Sequence, residues 1–254
     1  MKVYFVGAGP GDPELITVKG RRLLAAAGVV IYAGSLVNPE VLKYTPPGAA
    51  LYNSASLTLE EVIALIRQAI AAGKTVVRLH TGDPSLYGAV QEQMDALAAN
   101  DIPYEIVPGV SSFAAAAATV RREFTLPGVS QTVIITRRAG RTAVPAGESL
   151  PDLSRHRASL CLFLSSHDLA AATAELAGGY GENTPAAVVY KASWPEERVI
   201  HGTLGDIAAR AHEAGIERTA LLLVGDFLAG SYQRSSLYDP AFHHGCRAAR
   251  MSHD

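Results

Sequence analysis

Residues 6–13 read VGAGPGDP and follow an apolar run over residues 2–6. An apolar run bounded by glycine is typical of a buried strand. Asp12 is a favourable N-cap and Pro13 suits the first helical position, so we expect a helix from Asp12 to Ala27. A strand, a tight glycine-rich loop and a helix in this order indicate the first unit of an α/β protein.

The rest of the amino-terminal half repeats this alternation of strands and helices. Further strands are predicted over residues 29–33, 74–80 and 104–107, and helices over residues 58–73, 85–99 and 111–120. Such alternation favours a parallel sheet with right-handed crossovers.

The pattern changes near residue 116, after which apolar runs remain but helical patterns are fewer. Strands are predicted over residues 132–136, 160–164, 186–190, 199–201 and 220–224. We therefore expect an amino-terminal α/β domain with glycine-rich loops, a second α/β domain with a more mixed sheet, and a flexible tail, over residues 1–115, 116–234 and 235–254 respectively.

Composition excludes several classes of protein. The 22 Lys and Arg residues nearly balance 24 Asp and Glu residues, which argues against a nucleic-acid binder. The two cysteines lack metal-ligand spacing, and we expect the tail residues His243, His244, Cys246 and His253 to be unstructured rather than a metal site. The longest apolar stretch, residues 113–118, is far below the ~20 residues that span a bilayer. The expectation is a cytoplasmic protein without membrane, nucleic-acid or metal partners.

The first loop does not fit a dinucleotide-binding fingerprint. Its third glycine comes one position early, Pro10 has no N–H to offer a phosphate, and the second predicted strand ends in Tyr32-Ala33-Gly34 without an acidic residue. The loop suits close approach of another backbone or ligand, and a tight turn without any ligand is the alternative.

Two later loops also follow predicted strands. They are residues 81–88, which read TGDPSLYG, and residues 108–112, which read PGVSS. Asp83 could be an ordinary N-cap. Because the carboxyl ends of parallel strands share one edge of a sheet, where ligands of open α/β sheets bind, these loops also predict a binding site.

Five segments in order resemble the signatures of the tetrapyrrole (corrin/porphyrin) methylase family, which methylates precorrins and uroporphyrinogen with S-adenosylmethionine. They are residues 6–17, 82–88, 108–112, 194–204 and 221–226, so the resemblance covers about residues 1–230. It implies a class III methyltransferase-like fold, in which two α/β domains form a cofactor cleft, and a homodimer.

The region after the alanine-rich helix predicted over residues 111–120 lacks the Pro-Leu-Thr-His-Arg motif of uroporphyrinogen enzymes. Residues 126–137 and 139–142 are instead similar to the precorrin-4 C(11)-methyltransferases within this family. That similarity implies methylation of carbon 11 of precorrin-4 in cobalamin biosynthesis, a branch of porphyrin biosynthesis, giving precorrin-5 and S-adenosylhomocysteine. Alternatives are the same methylation on cobalt-precorrin-4, methylation of another ring carbon of a precorrin or uroporphyrinogen, a nicotinamide-dependent oxidoreductase, and a non-catalytic tetrapyrrole carrier.

The resemblance also assigns candidate site residues. Those expected at the cofactor are Pro10, Thr81, Gly82, Asp83, Leu86, Ser111, Ser112, Leu164, Ala192 and Ala220. Thr81 departs from the Gly-Gly-Asp of the uroporphyrinogen enzymes.

A tetrapyrrole with many carboxylates needs cations around it, for which the candidates are Arg121, Arg122, Arg137, Arg138, Arg141, Lys191 and His201. Transfer from an activated sulfonium requires no nucleophile. His80 is the candidate for a general base, and a structural histidine is the alternative.

Overall fold

The computed structural model describes residues 1–34 and 36–248 and divides into two compact units. The first unit comprises Met1–Ala116 and Lys191–Glu197, and the second comprises Ala117–Tyr190 and the chain from Arg198 onward. The chain thus leaves the second unit for seven residues, between two of its strands, and returns to it.

The first unit is built on a five-stranded sheet. Its strands are β1 (Val3–Gly7), β2 (Val29–Tyr32), β3 (Ala50–Asn53), β4 (Val76–His80) and β5 (Tyr104–Val107), in the order β3-β2-β4-β1-β5. All neighbouring pairs are parallel, as the strand-helix alternation predicted. The carboxyl ends of all five strands therefore lie at one edge.

Helices cover both faces of this sheet. They are α1 (Val18–Ala25), α2 (Leu59–Ala71), α3 (Gln91–Ala98) and α4 (Ser112–Thr119), of which α4 runs across the division between the units. Phe5 and Val76 pack against α2 and α3, while Val77 and Leu79 pack on the opposite face in the core that contains Leu24 of α1. Side chains of β4 thus pack into two hydrophobic cores, one on each face of the sheet.

The second unit has a mixed sheet, as predicted. Its strands are β6 (Val133–Arg137), β7 (Ser159–Phe163), β8 (Pro185–Tyr190), β9 (Arg198–Thr203) and β10 (Ala220–Val224), in the order β6-β7-β10-β8-β9. Only the β6–β7 pair is parallel. The helices α5 (Leu150–Ser154), α6 (Leu169–Tyr180) and α7 (Ile207–Glu213) contribute to its core.

The predicted helix from Asp12 to Ala27 is wrong in its first half. Asp12 caps only a short 3-10 turn, Pro13–Leu15, after which Ile16 is extended. Thr17 then caps α1 by accepting a hydrogen bond from the N–H of Gly20. The chain holds two successive caps, and the second one starts the helix.

The helix predicted over residues 85–99 is also too long, because α3 begins only at Gln91. Tyr87 and Ala89 adopt left-handed backbone conformations with φ of 53° and 47°, which no helix accommodates. Strand β3 was not predicted, since it is an edge strand whose last three residues are exposed.

Among the described residues no helix is long and apolar enough to span a bilayer. Residues 236–238 of the predicted tail form a 3-10 turn, and His244 pairs with Arg247 through backbone hydrogen bonds. Residues 249–254, including His253, lie outside the described residues, so the flexible tail stays a prediction.

At the carboxyl edge of the first sheet, the backbones of three glycines approach one another so closely that two of them, Gly7 and Gly109, have no room for a side chain. A Cβ atom on Gly109 would lie 2.1 Å from the carbonyl oxygen of Gly82 and 2.8 Å from the Cα of Gly7. A Cβ atom on Gly7 would lie 2.6 Å from the carbonyl oxygen of Gly82 and 2.6 Å from the Cα of Gly109. We call Gly7, Gly82 and Gly109 the glycine contact.

Because of this contact, we expect one added methyl group at Gly109 to lower the free energy of unfolding substantially. Gly109→Ala should destabilise the first unit by about 1–3 kcal/mol, because only backbone atoms could move away from the new Cβ. Unfolding in urea, followed by the fluorescence of Trp194, the only tryptophan of the chain, measures this directly.

The matched control is Gly178→Ala, the same chemical change within α6, where nothing lies within 4 Å of the new Cβ. It should be neutral or stabilising by up to about 1 kcal/mol. Equal stability of the two variants would show that the glycine contact does not constrain the fold.

Candidate active site

The loops after β1 and β4 are joined by backbone hydrogen bonds. The N–H of Gly82 donates to the carbonyl of Gly9 at 2.8 Å, and the N–H of Gly9 donates to the carbonyl of Gly82 at 3.3 Å. Gly82 has a φ of 58°, which a side chain would disfavour. The two loops are therefore linked by a pair of backbone hydrogen bonds, beside the loop after β5.

Asp83 links the second loop to the third. One carboxylate oxygen accepts hydrogen bonds from the N–H and the hydroxyl of Ser85, and the other accepts from the N–H of Gly109 at 2.8 Å. Partial burial raises the pKa of Asp83, but these hydrogen bonds outweigh it and the net pKa is lowered. The ionised carboxylate thus connects two strand ends.

The segment Lys191–Glu197 packs against the first loop. Trp194 donates from Nε1 to the carbonyl of Pro10 at 3.0 Å, and Ser193 Oγ accepts from the N–H of Asp12 at 3.0 Å. A Cβ atom on Gly11 would lie 2.1 Å from the Trp194 ring. The glycine at this position is therefore required by the indole.

Ser193 and Trp194 were not predicted as site residues. A signal was available in the sequence, because Trp194 is the only tryptophan and follows a predicted strand. That signal does not identify the partner, which lies 184 residues away.

Most of the residues predicted at the cofactor come together in the first unit. Those on the three loops are Pro10, Thr81, Gly82, Asp83, Leu86, Ser111 and Ser112. Ala192 lies in Lys191–Glu197, which we call the inserted segment. Small side chains, hydroxyls and backbone amides dominate this edge, and it carries no lysine or arginine on the three loops.

Leu164 and Ala220 lie in the second unit. Leu164 follows β7, is 56% exposed and has a φ of 54°, whereas Ala220 begins β10 and is buried. Leu162 pairs with Leu222 in the antiparallel register, so Leu164 and Ala220 share one edge of the second sheet. Their role at a cofactor stays a prediction.

The cations predicted around the substrate fall into groups with different environments. Arg138 is already paired, with Asp168 at 2.7 Å and Glu175 at 2.8 Å, and the hydrogen bond to Glu175 is the main cause of its raised pKa. Arg137 donates to the backbone carbonyls of residues 138, 142 and 143 and so organises its own loop. Arg141 lines a cavity of about 490 Å³ beside these residues.

The remaining cations lie elsewhere. Arg121 and Arg122 line a separate groove of the second unit, together with Arg234, Tyr232 and Tyr238. Lys191 lies 3.6 Å from Glu196 and 5.1 Å from the centre of the Trp194 ring. His201 is exposed on β9. The binding of substrate by any of these residues stays a prediction.

His80 ends β4 and is only 4% exposed. Burial, assisted by the positive charge of Arg78, lowers the pKa of His80 to about 3. A base this weak is poorly suited to take a proton near neutral pH, which argues against His80 as a general base. The structure fits a neutral imidazole.

Cys161 offers no nucleophile either. It is fully buried in β7, and burial raises the pKa of its thiol. Within residues 1–34 and 36–248, no three His, Cys, Asp or Glu side chains are grouped to hold a metal ion. The chemistry that this edge supports is binding and orientation of a reactive ligand.

Comparison with known proteins gives consistent matches. The model of a family described as tetrapyrrole (corrin/porphyrin) methylases matches residues 2–208. A cobalt-precorrin-4 C(11)-methyltransferase of Methanocaldococcus jannaschii is 52% identical over 248 residues, covering 97% of this chain and 96% of its own. A precorrin-4 C(11)-methyltransferase of Pseudomonas aeruginosa is 51% identical over 245 residues, covering 96% and 98%.

Solved structures agree with this likeness. An X-ray structure of a cobalt precorrin-4 methyltransferase of cobalamin biosynthesis is 46% identical and has a TM-score of 0.87, covering 89% of this chain and 95% of that one. A uroporphyrin-III C-methyltransferase of Thermus thermophilus, complexed with S-adenosylhomocysteine, is 31% identical with a TM-score of 0.76, covering 90% and 99%.

The lowered pKa of Asp83 predicts a pH dependence of stability. Its carboxylate stabilises the folded state fully above the ordinary pKa of 3.8, and this contribution is lost as the pH falls through the lower folded-state value. Asp83→Asn should therefore be less stable than the parent at pH 7, because its NH2 group faces one of the present donors, and the difference should shrink below pH 3.8.

Urea unfolding at a series of pH values measures the difference, again by Trp194 fluorescence. Glu217→Gln changes an exposed carboxylate and serves as the control. A difference between parent and Asp83→Asn that stays constant down to the lowest pH would contradict the assigned hydrogen bonds.

Proposed function

The chain belongs to the tetrapyrrole (corrin/porphyrin) methylase family, as its motifs predicted, and on this premise we propose that it methylates carbon 11 of precorrin-4. The methyl donor is S-adenosylmethionine, and the products are precorrin-5 and S-adenosylhomocysteine. The observation that carries this proposal is the 51% identity with a precorrin-4 C(11)-methyltransferase over nearly the full length of both chains. The reaction belongs to cobalamin biosynthesis.

The carboxyl edge of the first sheet fits the methyl donor better than a phosphate ligand. S-adenosylmethionine presents an ammonium, a carboxylate and hydroxyl groups, which hydroxyls and backbone amides recognise. Ser111, Ser112 and Thr81 provide hydroxyls there, and the glycine contact brings the three loops close together. A phosphate would need backbone N–H groups or cations, but Pro10 has no N–H and the three loops carry no lysine or arginine.

The proposed chemistry asks the protein mainly for positioning. The sulfonium of S-adenosylmethionine already activates the methyl group, so the reaction is an in-line displacement by an electron-rich ring carbon. Holding the carbon and the methyl group in a near-attack arrangement supplies several kcal/mol, of the order found for other oriented reactions. The first two loops are linked by backbone hydrogen bonds, and Asp83 links them to the third loop. This arrangement suits that task.

No strong base is needed, because the methylated carbon becomes quaternary and loses no proton. The depressed pKa of His80 and the buried thiol of Cys161 are compatible with such a reaction. The arginines of the second unit that make no described ion pair, including Arg121, Arg122 and Arg141, are the remaining candidates for the acceptor's carboxylates.

A second candidate is the same methylation on cobalt-precorrin-4. The relative from Methanocaldococcus jannaschii carries that name and is 52% identical, and the structural neighbour with a TM-score of 0.87 is also a cobalt precorrin-4 methyltransferase. Cobalt belongs here to the acceptor, so no metal ligands of the protein are required.

Product analysis without oxygen tests both candidates. We expect S-adenosylmethionine and enzymatically generated precorrin-4 to give a product with one added methyl group by mass spectrometry, mapped to carbon 11 by isotope-labelled NMR. A parallel incubation with cobalt-precorrin-4 shows which acceptor is used. Calorimetric binding of S-adenosylmethionine is the control, because binding without methylation of either acceptor would refute the substrate and leave the family intact.

We further propose that the chain acts as a homodimer in the cytoplasm, which the family resemblance supports. Sedimentation equilibrium of the purified protein should give about twice the chain mass of 26.7 kDa. A monomer over the micromolar range would refute the dimer.

A further inference from the structure

The first unit contains a cavity of about 160 Å³ beside the end of β4. Its polar lining consists of Ser54, Thr58, Arg78, His80, Glu92 and Gln93. Glu92 and the neighbouring Ala89 are exposed, so the cavity opens to the surface. Cavities near 150 Å³ hold a molecule of about the size of benzene, so a short carboxylate arm fits.

Arg78 places a positive charge in this lining and is only 6% exposed. Its Nε donates to Oε1 of Gln93 at 2.9 Å, and one terminal nitrogen donates to the carbonyl of Ile31 at 3.1 Å. Both partners are uncharged, and no ion pair of Arg78 is found in the described part of the chain. Burial lowers the pKa of Arg78 only to about 10, so the guanidinium stays charged.

A buried cation without a counter-charge is costly, and proteins usually pair such groups. Glu92 is the one acidic residue of the lining, and its exposed carboxylate lies beyond ion-pair distance of Arg78. The cavity therefore has an unmet requirement for negative charge.

His80 adds an unmet hydrogen bond to the same lining. Its Nε2 is buried and has no hydrogen-bond partner among the described residues. The ring lies beside that of Phe5, with ring centroids 6.1 Å apart. A neutral imidazole carries its proton on one of its two nitrogens, and in the tautomer protonated at Nε2 this atom has an N–H to donate to an acceptor oxygen.

Three other polar side chains of the lining already make hydrogen bonds. Ser54 Oγ donates to the carbonyl of Tyr32, Thr58 Oγ1 accepts from the N–H of Glu61, and Gln93 donates to the carbonyl of Ala89. Arg78 and His80 are thus the buried groups of the lining with binding capacity left, and the two oxygens of a carboxylate can accept from one of them each.

We propose that this cavity binds one carboxylate arm of the tetrapyrrole acceptor, through the Arg78 guanidinium and the Nε2–H of His80. The inference rests on the proposed function and deepens it. His80 directly precedes Thr81, Gly82 and Asp83, so an arm anchored here holds the macrocycle next to the loop assigned to the methyl donor. His80 is then a positioning residue rather than a base.

Binding of propionate tests the cavity without the acceptor. Titration of the protein with sodium propionate, against sodium chloride at equal ionic strength, should shift the ¹⁵N resonances of the His80 ring saturably, with the assignment made from His80→Gln. Ala33 lines the cavity, so Ala33→Leu adds bulk at its wall while keeping both Arg78 and His80, and it should weaken or abolish the shift. Arg67→Lys, on the exposed side of α2, should leave it unchanged.

Kinetics test whether the acceptor uses the cavity. Arg78→Lys and Ala33→Leu should raise the KM for the acceptor about tenfold or more, as expected for loss of a charge-assisted hydrogen bond, and leave the affinity for S-adenosylmethionine unchanged. In Arg78→Lys, kcat should change less than KM. Far-ultraviolet circular dichroism and calorimetric binding of S-adenosylmethionine show whether each variant folds, and if Arg78→Lys does not, Ala33→Leu carries the kinetic test.

The outcomes separate the two proposals. A propionate-dependent shift in a protein that methylates neither acceptor would leave the carboxylate cavity standing and refute the proposed function. Methylation with no propionate shift, and an unchanged KM in Ala33→Leu, would overturn the cavity proposal alone. A loss of kcat at constant KM would also overturn it, because it would indicate a direct role in chemistry.

Discussion

The arrangement of the candidate active site depends on the close approach of three backbones at the glycine contact. Gly7, Gly82 and Gly109 come from the ends of three adjacent strands, and a side chain on Gly7 or Gly109 would meet backbone atoms at 2.8 Å or less. This packing lets the N–H groups of one loop reach the carbonyls of the next, and it brings the N–H of Gly109 to the Asp83 carboxylate. Loops joined in this way lose little entropy when they bind a ligand.

Strand positions were predictable because they depend on local information. Strands β1, β2 and β10 are apolar runs bounded by turn residues, and such runs form strands whatever their tertiary neighbours are. The helix predicted from Ser85 failed because Asp83 does not cap it. One oxygen of its carboxylate accepts instead from the backbone N–H of Gly109, 26 residues away. In addition, Tyr87 and Ala89 adopt left-handed backbone conformations.

The site was predictable as a set of loops, but not as a set of interactions. Arg138 belonged to an arginine-rich loop in the sequence, and only the fold shows that Asp168 and Glu175, 30 and 37 residues away, already neutralise it. The family resemblance placed Pro10 at the cofactor, which stays a prediction, but it gave no sign that the Pro10 carbonyl accepts from Trp194 of the inserted segment. Pairings over such separations leave no trace in residue spacing, because any of several carboxylates or donors could have filled the position.

Electrostatics account for the contrast between the two ionisable residues of β4 that share one face of the first sheet. Arg78 keeps its charge because a guanidinium loses a proton only with great difficulty, whereas the imidazole of His80, beside that charge and equally buried, stays neutral. A neutral imidazole next to a fixed cation cannot act as a strong base, but it is well suited to donate a hydrogen bond to an anion that the cation attracts. Methyl transfer from a cationic donor to a polyanionic ring needs such anchoring more than it needs proton transfer. The same burial that removes His80 from acid–base chemistry therefore makes it useful for orienting a substrate.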